Sequence, residues 1–412
     1  MRAAIETLDS QDLKTLSAEL FSVNQKQNQQ SRITTPMDIT PIRPPWSGSL
    51  TPRERFRRQM HHEPVDRSFN MEFGYWDDNF KRWPCFLENG IRDNASADRF
   101  FNFDPMAFEG PRWMHPVFPE QEIRRTETTR ILRNADGLIA EVPLDAHDTI
   151  PHYIGSSIET PEDWEKIKAE RFQRDHPDRK PDVEAMRRRH PADRDYPLGV
   201  WCGSMIGKVR DLLTVEGLAY ATSDYPEMVE DMVEVSCQLI EDFLDAVLPV
   251  MDFDFACGWE DICYNAGPLV SVAFFRDVVV PRYKRIRDKL HAHGVDVWYM
   301  DCDGDVRPLI PHFLEGGVNT LFPWEVNGSG HPGESLDRWG PELRIMGGMN
   351  KMMLLKGRDA IREWLESLAP YVAKGGFIPF CDHRCPPDVD PDDYLYYLDL
   401  KEKLFGMGTT GK

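Results

Sequence analysis

Short apolar runs that end in polar residues alternate along this chain with longer stretches whose apolar positions recur at helical spacing. The alternation is regular from Tyr196 onward. Leu198–Gly203 reads as a strand, and from Pro226 a helix presents Met228, Met232, Val235, Leu239 and Phe243 on one face. Asp252–Gly258 is a strand. Phe275, Val279, Tyr283, Ile286 and Leu290 mark a second helix, closed by Gly294. Val297-Trp298-Tyr299-Met300 is a strand that runs directly into Asp301-Cys302-Asp303-Gly304-Asp305. Asn319–Pro323, Arg344–Gly348 and Phe377–Phe380 are further strands, with a helical face of Ile361, Trp364, Leu368 and Tyr371 before the last. Earlier, Thr51 is placed to cap a helix that has Pro52 at its first position and Glu54 three residues on. Ser68–Gly74 follows as the first strand. One more strand is expected in 97–110 or 145–155.

The rest of the chain is less regular. Residues 76–160 carry many aromatics, and Asn134-Ala135-Asp136-Gly137 predicts a hairpin of Arg124–Leu132 against Gly137–Val142. Residues 161–195 are strongly charged and predict an exposed helical excursion. Residues 1–48 are polar and Gln/Ser-rich, with one apolar stripe of Leu13, Leu16, Leu20 and Phe21. They predict an N-terminal extension of a domain covering 49–412. Alternating strands and helices mean parallel β/α units. Their number predicts an α/β fold of the (β/α)8 TIM-barrel kind, with the N-terminal extension and an inserted β-hairpin region.

Composition narrows the function. The 412 residues carry a net charge of −20, which argues against a nucleic-acid binder and an anionic membrane surface. No run approaches a membrane span, and the polar N-terminus has no apolar signal region. Eight cysteines are scattered without a paired framework, which suits a reducing cytoplasm.

The chemistry collects where the strands end. Glu72, Glu260, Asp261, Asp301, Asp303, Glu325, Asn350, Lys351 and His383 all follow predicted strands. In a β/α barrel this is the face that carries active sites. Asp301 and Asp303 share a face if strand geometry persists, with Cys302 on the other. Buried like charges require pairing, protonation or a cation, so Asp301, Asp303 and His383 are candidate ligands of zinc or another divalent ion. Helix capping and a hydrogen-bonded core histidine are the plainer readings of the same residues. Glu260 and Asp261 are candidates for acid/base work or substrate hydrogen bonds, with helix capping again the alternative. Trp259, Tyr264 and Trp324 suit a pocket wall, or ordinary packing. No G-x-G-x-x-G opens a helix after a strand, so nucleotide binding is not supported.

Several phrases carry a resemblance. They are Thr51-Pro52-Arg53-Glu54-Arg55-Phe56, Glu63-Pro64-Val65-Asp66-Arg67, Gly267-Pro268-Leu269-Val270-Ser271 before Pro281-Arg282-Tyr283-Lys284, Asp301 through Pro311, Glu315-Gly316-Gly317-Val318, and Gly375–Pro379 running into Pro386-Pro387-Asp388-Val389. From about Leu50 to Met407 the chain resembles the uroporphyrinogen decarboxylase superfamily, whose fold is a β/α barrel. That group includes corrinoid-linked methyltransferases. The arginine-rich loop of the true decarboxylase is missing after the first strand, where Tyr75-Trp76-Asp77-Asp78 stands. The similar methyltransferases hold zinc with a His-x-Cys pair and a later Cys. Those places fall at Asp301, Asp303 and near His383, so the spacing is kept while the residue types differ.

The resemblance therefore implies a cytoplasmic methyltransferase that demethylates a small O- or N-methyl compound and passes the methyl to a corrinoid protein. Asp301, Asp303 and His383 would hold a divalent metal, zinc by preference. Asp261 and Glu325 would be catalytic. Trp259, Glu260, Tyr264, Asn350 and Lys351 would bind substrate. No Asp-x-His-x-x-Gly motif occurs, so the corrinoid would come on a partner chain. The expected partners are that protein, the methyl donor and a second copy in a homodimer, with no nucleic acid or membrane. The alternative is a metal-free decarboxylase or lyase acting on a small carboxylic acid, with Asp303 as general acid.

Overall fold

In the computed structural model, seven parallel strands carry the fold. The structure describes residues 39–144 and 151–407. The stripe at Leu13–Phe21, and part of the 145–155 stretch, lie outside them. In chain order the strands are β1 (Ala107–Glu109), β2 (Gln121–Arg125), β3 (Thr129–Arg133), β4 (Leu138–Pro143), β5 (His152–Ser156), β6 (Leu198–Trp201), β7 (Phe255–Trp259), β8 (Cys263–Tyr264), β9 (Gly267–Pro268), β10 (Trp298–Asp301), β11 (Thr320–Trp324), β12 (Arg344–Met349) and β13 (Phe377–Cys381). The parallel sheet runs β1-β6-β7-β10-β11-β12-β13. Each neighbouring pair is in parallel register, as in Met300 beside Gly258 and Leu321. The expected strand in 97–110 is β1.

Residues 68–75 lie between β13 and the segment leading to β1, where the first strand was expected. They are extended but form no ladder, and side chains stand in for it. The Gln59 amide donates to Phe377 O at 2.7 Å and accepts from Phe69 N–H at 2.6 Å. The Glu72 carboxylate accepts from Cys381 N–H at 3.1 Å. The segment's backbone bonds are isolated ones: Ser68 N–H donates to Phe405 O at 2.9 Å, Asp104 N–H to Asn70 O at 2.8 Å and Cys385 N–H to Gly74 O at 2.9 Å, with a single bridge of Tyr75 to Cys385.

The core obeys strand parity. Phe255, Cys257, Val297, Tyr299, Met346, Ile378 and Phe380 are buried together with Phe56 and Phe69. Alternate residues on each strand therefore face one interior, which burial of these apolar groups stabilises. Extending the parity of Val297 and Tyr299 places Asp301 on that interior face. Extending that of Ile378 and Phe380 places Asp382 there.

The inserted region differs from expectation. Arg124–Leu132 is not one strand: a turn in which Thr126 N–H bonds Thr129 O (2.8 Å) splits it into β2 and β3. The result is a four-stranded antiparallel sheet, β2-β3-β4-β5. The Asn134–Gly137 turn does join β3 to β4, with Arg133 opposite Ile139.

Among the helices, α1 (Pro52–Met60) starts as predicted, with Glu54 N–H on Thr51 Oγ1 at 3.1 Å. The predicted helical faces become α3 (Pro226–Val247), α4 (Val280–Ala292) and α5 (Arg358–Val372). Among the helices that had no expectation, the longest are α2 (Ile206–Asp224) and α6 (Pro391–Phe405). Residues 40–48 reach α6 through Arg43, which bonds Asp399 at 2.5 Å and Glu402 at 3.0 Å.

Candidate active site

The loop after β10 folds back over the loop after β7. The N–H groups of Glu260 and Asp261 donate to Asp301 O at 2.8 and 3.3 Å, and Asp305 N–H donates to Tyr264 O at 2.9 Å. Gly304 permits this approach. Its φ is +80°, and a Cβ there would meet Cys263 O at 2.5 Å. Asp261 itself takes φ +46°, a left-handed turn that short polar side chains tolerate.

Three carboxyls meet in this fold-back. Burial, then the charges of Asp303 and Asp261, push Asp301 well above the usual carboxylate range. Its carboxyl makes no hydrogen bond among the described residues. Burial also raises Asp261, opposed by the Arg210 guanidinium at 3.0 Å and reinforced by Asp303. Asp303 Oδ1 is buried without a partner, while its Oδ2 stands 3.4 Å from His383 Nε2. Asp303 and His383 are therefore neighbours, although 80 residues apart in sequence. Asp301 does not complete a tight triad with them. Among the described residues, only one group of three His, Cys, Asp or Glu has all its donor atoms within 4.8 Å of one another, and it lies elsewhere.

The other strand-end residues form a linked polar belt. Glu325 accepts from Gly304 N–H at 3.0 Å and pairs with Lys351 Nζ at 3.3 Å. Asp382 is fully buried and accepts from Lys351 N–H at 2.8 Å and Val326 N–H at 2.9 Å. Burial nonetheless pushes its carboxyl up to about 6. Asn350 caps the turn that follows it, accepting from Met352 N–H at 2.9 Å. The Trp259 ring lies 4.8 Å from the Arg210 guanidinium and 5.3 Å from Lys208 Nζ. Tyr264 is exposed at the edge of this region.

Glu260 does not fit the substrate-binding role expected for it. It is completely buried, and its carboxylate accepts from the N–H groups of Met205, Ile206 and Gly207 at 2.8 Å each. Ser204 Oγ at 3.0 Å and Tyr283 OH at 2.5 Å complete its shell. A carboxylate at a helix N-terminus satisfies donors that the helix leaves open. Glu260 is thus the cap of α2, with no oxygen left for a ligand.

The structure adds residues that the strand-end pattern missed. The Phe73 ring stacks on His383 at 4.9 Å, and Trp76 lies 5.9 Å from it. Arg384 sits over Trp76 at 5.3 Å and has no carboxylate partner among the described residues. The signal for these three was adjacency: Phe73 lies in the first extended segment beside Glu72, Trp76 follows that segment, and Arg384 follows His383. Cys302 is a buried free thiol raised by a side-chain hydrogen bond with the free thiol of Cys263 and by burial, and burial also raises Cys381 and Cys385.

A family model described as uroporphyrinogen decarboxylase (URO-D) matches residues 129–403, more than half of the chain. The chain belongs to the uroporphyrinogen decarboxylase family. Among solved structures, this family member is similar to a methyltransferase from Methanosarcina mazei, with TM-score 0.54 and 13% identity, over 86% of this chain and 99% of that one. It also matches a B12-independent methionine synthase from Shewanella sp. W3-18-1, with TM-score 0.34 and 10% identity, over 69% and 75%. The first likeness supports the β/α-barrel fold of the family. No curated protein matches the chain. No helix among the described residues is long and apolar enough to cross a membrane.

Proposed function

We propose that this family member is a methyltransferase that removes the methyl group of a small O- or N-methylated compound. A corrinoid carried by a partner protein would be the methyl acceptor. The observation that carries the reading is the unpartnered Asp303 Oδ1 beside His383, flanked by the unpaired carboxyl of Asp301 and the ring of Phe73. A buried acceptor without a donor calls for a proton or a cation.

In kind, the donors suit a hard divalent ion, with Asp303 and His383 as neighbours and Asp301 as third ligand. Such an ion would polarise the heteroatom that bears the methyl group. The chain's own groups do the rest. Phe73 and Trp76 would exclude water from the substrate's apolar part. Asp261, held by Arg210, would orient or protonate the leaving heteroatom. Glu325, held by Lys351 and Gly304, would fix the loop that carries Asp303.

The test is a panel of methoxylated and N-methylated compounds, with reduced free cobalamin as acceptor and its visible spectrum as readout. Turnover by the wild type and its loss in Asp303→Asn and His383→Ala support the reading. No spectral change with any donor, with or without added zinc, would sink it.

One observation favours a second reading. Arg384 is a half-buried guanidinium without a carboxylate partner among the described residues, and it could hold the carboxylate of a small acid. A carboxyl group of the site, Asp301 or Asp303, would then protonate the carbon left by CO2. Release of CO2 from an added acid, unaffected by chelation, would select this reading.

A further inference from the structure

The loop after β1 and the segment after the 161–171 helix bring three ligating side chains together, apart from the strand ends described above. His115 Nε2 stands 3.0 Å from Asp178 Oδ2. The rings of His115 and His176 lie edge to face at 4.6 Å. One donor atom from each of His115, His176 and Asp178 lies within 4.8 Å of the other two. Two imidazoles and one carboxylate are a common donor set for zinc and its neighbours in the transition series.

The cluster is held from behind. Arg179 Nη1 donates to the carbonyls of Arg112 (2.6 Å) and Trp113 (2.9 Å), its Nη2 to Arg171 (2.5 Å), and its Nε to Gln173 (2.7 Å). Arg171 Nη1 in turn donates to Pro116 O at 2.8 Å and Val117 O at 3.2 Å. His115 N–H donates to Arg171 O at 2.9 Å. These bonds fix the two backbones against each other before any ligand arrives, and preorganised ligands lose little freedom on binding. The arginines point their donors at carbonyls and leave the His and Asp side chains free of ion pairs with them.

We propose that His115, His176 and Asp178 form a binding site for a divalent transition metal, zinc being the natural occupant, which clips the loop after β1 to the 173–179 segment. Water would complete the shell, because Asp178 is 59% exposed in its side chain and the site opens to solvent. Metal uptake gives up the hydrogen bond that His176 Nδ1 accepts from Asp178 N–H at 3.2 Å, whether Nδ1 becomes the ligand or takes the proton that Nε2 releases, and, where His115 coordinates through Nε2, the bond that this nitrogen donates to Asp178 Oδ2 at 3.0 Å. That is a small loss beside three coordinate bonds. The site is independent of the reading given to the barrel mouth. It also means that metal found in the purified protein does not by itself report on Asp303 and His383.

The experiment is a zinc titration of the chelator-stripped, full-length protein, repeated with cobalt(II) for its absorption bands. His115→Ala, His176→Ala and Asp178→Asn are compared with His383→Ala. Binding should weaken by at least about tenfold in the first three, the low end of what even a supporting partner costs. It should persist in His383→Ala. Zinc should raise Tm in the wild type and in His383→Ala but not in His176→Ala. If His176→Ala fails to fold, the exposed Asp178→Asn decides. Unchanged zinc affinity in His115→Ala and Asp178→Asn would overturn the site, as would a wild type that binds no zinc or loses all binding in His383→Ala.

Discussion

Glu72 Oε1 and Lys401 Nζ form an ion pair 2.6 Å long in which the two side chains are only 2% and 1% exposed. Tyr397 OH at 2.7 Å and Cys381 N–H at 3.1 Å also donate to Glu72, and Lys401 donates to Met71 O at 2.7 Å. The pair joins α6, β13 and the extended 68–75 segment. Lys401→Met leaves a buried carboxylate without its countercharge, so it should cost about 3–5 kcal/mol in urea unfolding. Adding Glu72→Gln should recover part of that loss.

Glu260 should behave as a stability residue. Glu260→Gln turns amide N–H groups toward backbone donors that need an acceptor. It should lower stability by roughly 3 kcal/mol, because buried unsatisfied donors cost more than a bond gains. Thermal unfolding measures it. Activity per folded molecule should survive at permissive temperature.

Asp303 and His383 should behave in the opposite way. Asp303 Oδ1 has no partner to lose, so Asp303→Asn should leave Tm unchanged or raise it. The same change, and His383→Ala, should lower kcat/KM by about a hundredfold or more, in line with loss of a reacting acid or ligand. Kinetics and calorimetry on the same preparations separate the two effects.

Arg384 offers a charge that no carboxylate among the described residues meets, beside a Trp76 platform. If the substrate carries a carboxylate, Arg384→Gln should raise KM by about tenfold to a hundredfold, the worth of a charged hydrogen bond. kcat should change less. Neutral analogues of the substrate should show no difference between the two proteins.

Asp66 gives a pH signature. Burial opposes its charge, but the Arg55 guanidinium at 2.8 Å and the Leu50 N–H outweigh that and hold the carboxyl down at about 2, against 3.8 for a free one. The unfolded chain therefore takes up this proton first. The contribution, about 1 kcal/mol once solvent screening of this partly exposed pair is allowed for, is complete above the free value and disappears as pH falls through the folded one. Urea unfolding of the wild type and Asp66→Asn should differ most near neutral pH and converge toward pH 2.

Strand parity and strand-end polarity needed only local sequence. Val297, Tyr299 and Asp301 share a face because strand side chains alternate, and a run of apolar residues closed by aspartate marks a barrel strand that opens onto the mouth. The parallel sheet, the caps of α1 and the gathering of acidic strand ends were legible for that reason, as was membership of the family. What pairs with each strand-end carboxylate was not legible, since the partners lie up to hundreds of residues away. Glu260 and Asp261 are adjacent in sequence, yet one caps α2, which local pattern had not shown, and the other faces Arg210 and Asp303. The 68–75 segment looks like a strand locally, but Gln59 and Glu72 side chains occupy the hydrogen bonds that a ladder would use. His115 and Asp178 meet because arginine–carbonyl bonds hold two distant loops together. Periodicity of the chain determined which residues face inward and where charge collects. Only the tertiary structure decided which charges are satisfied, because a hydrogen bond depends on where its partner sits in space and not on its distance along the chain.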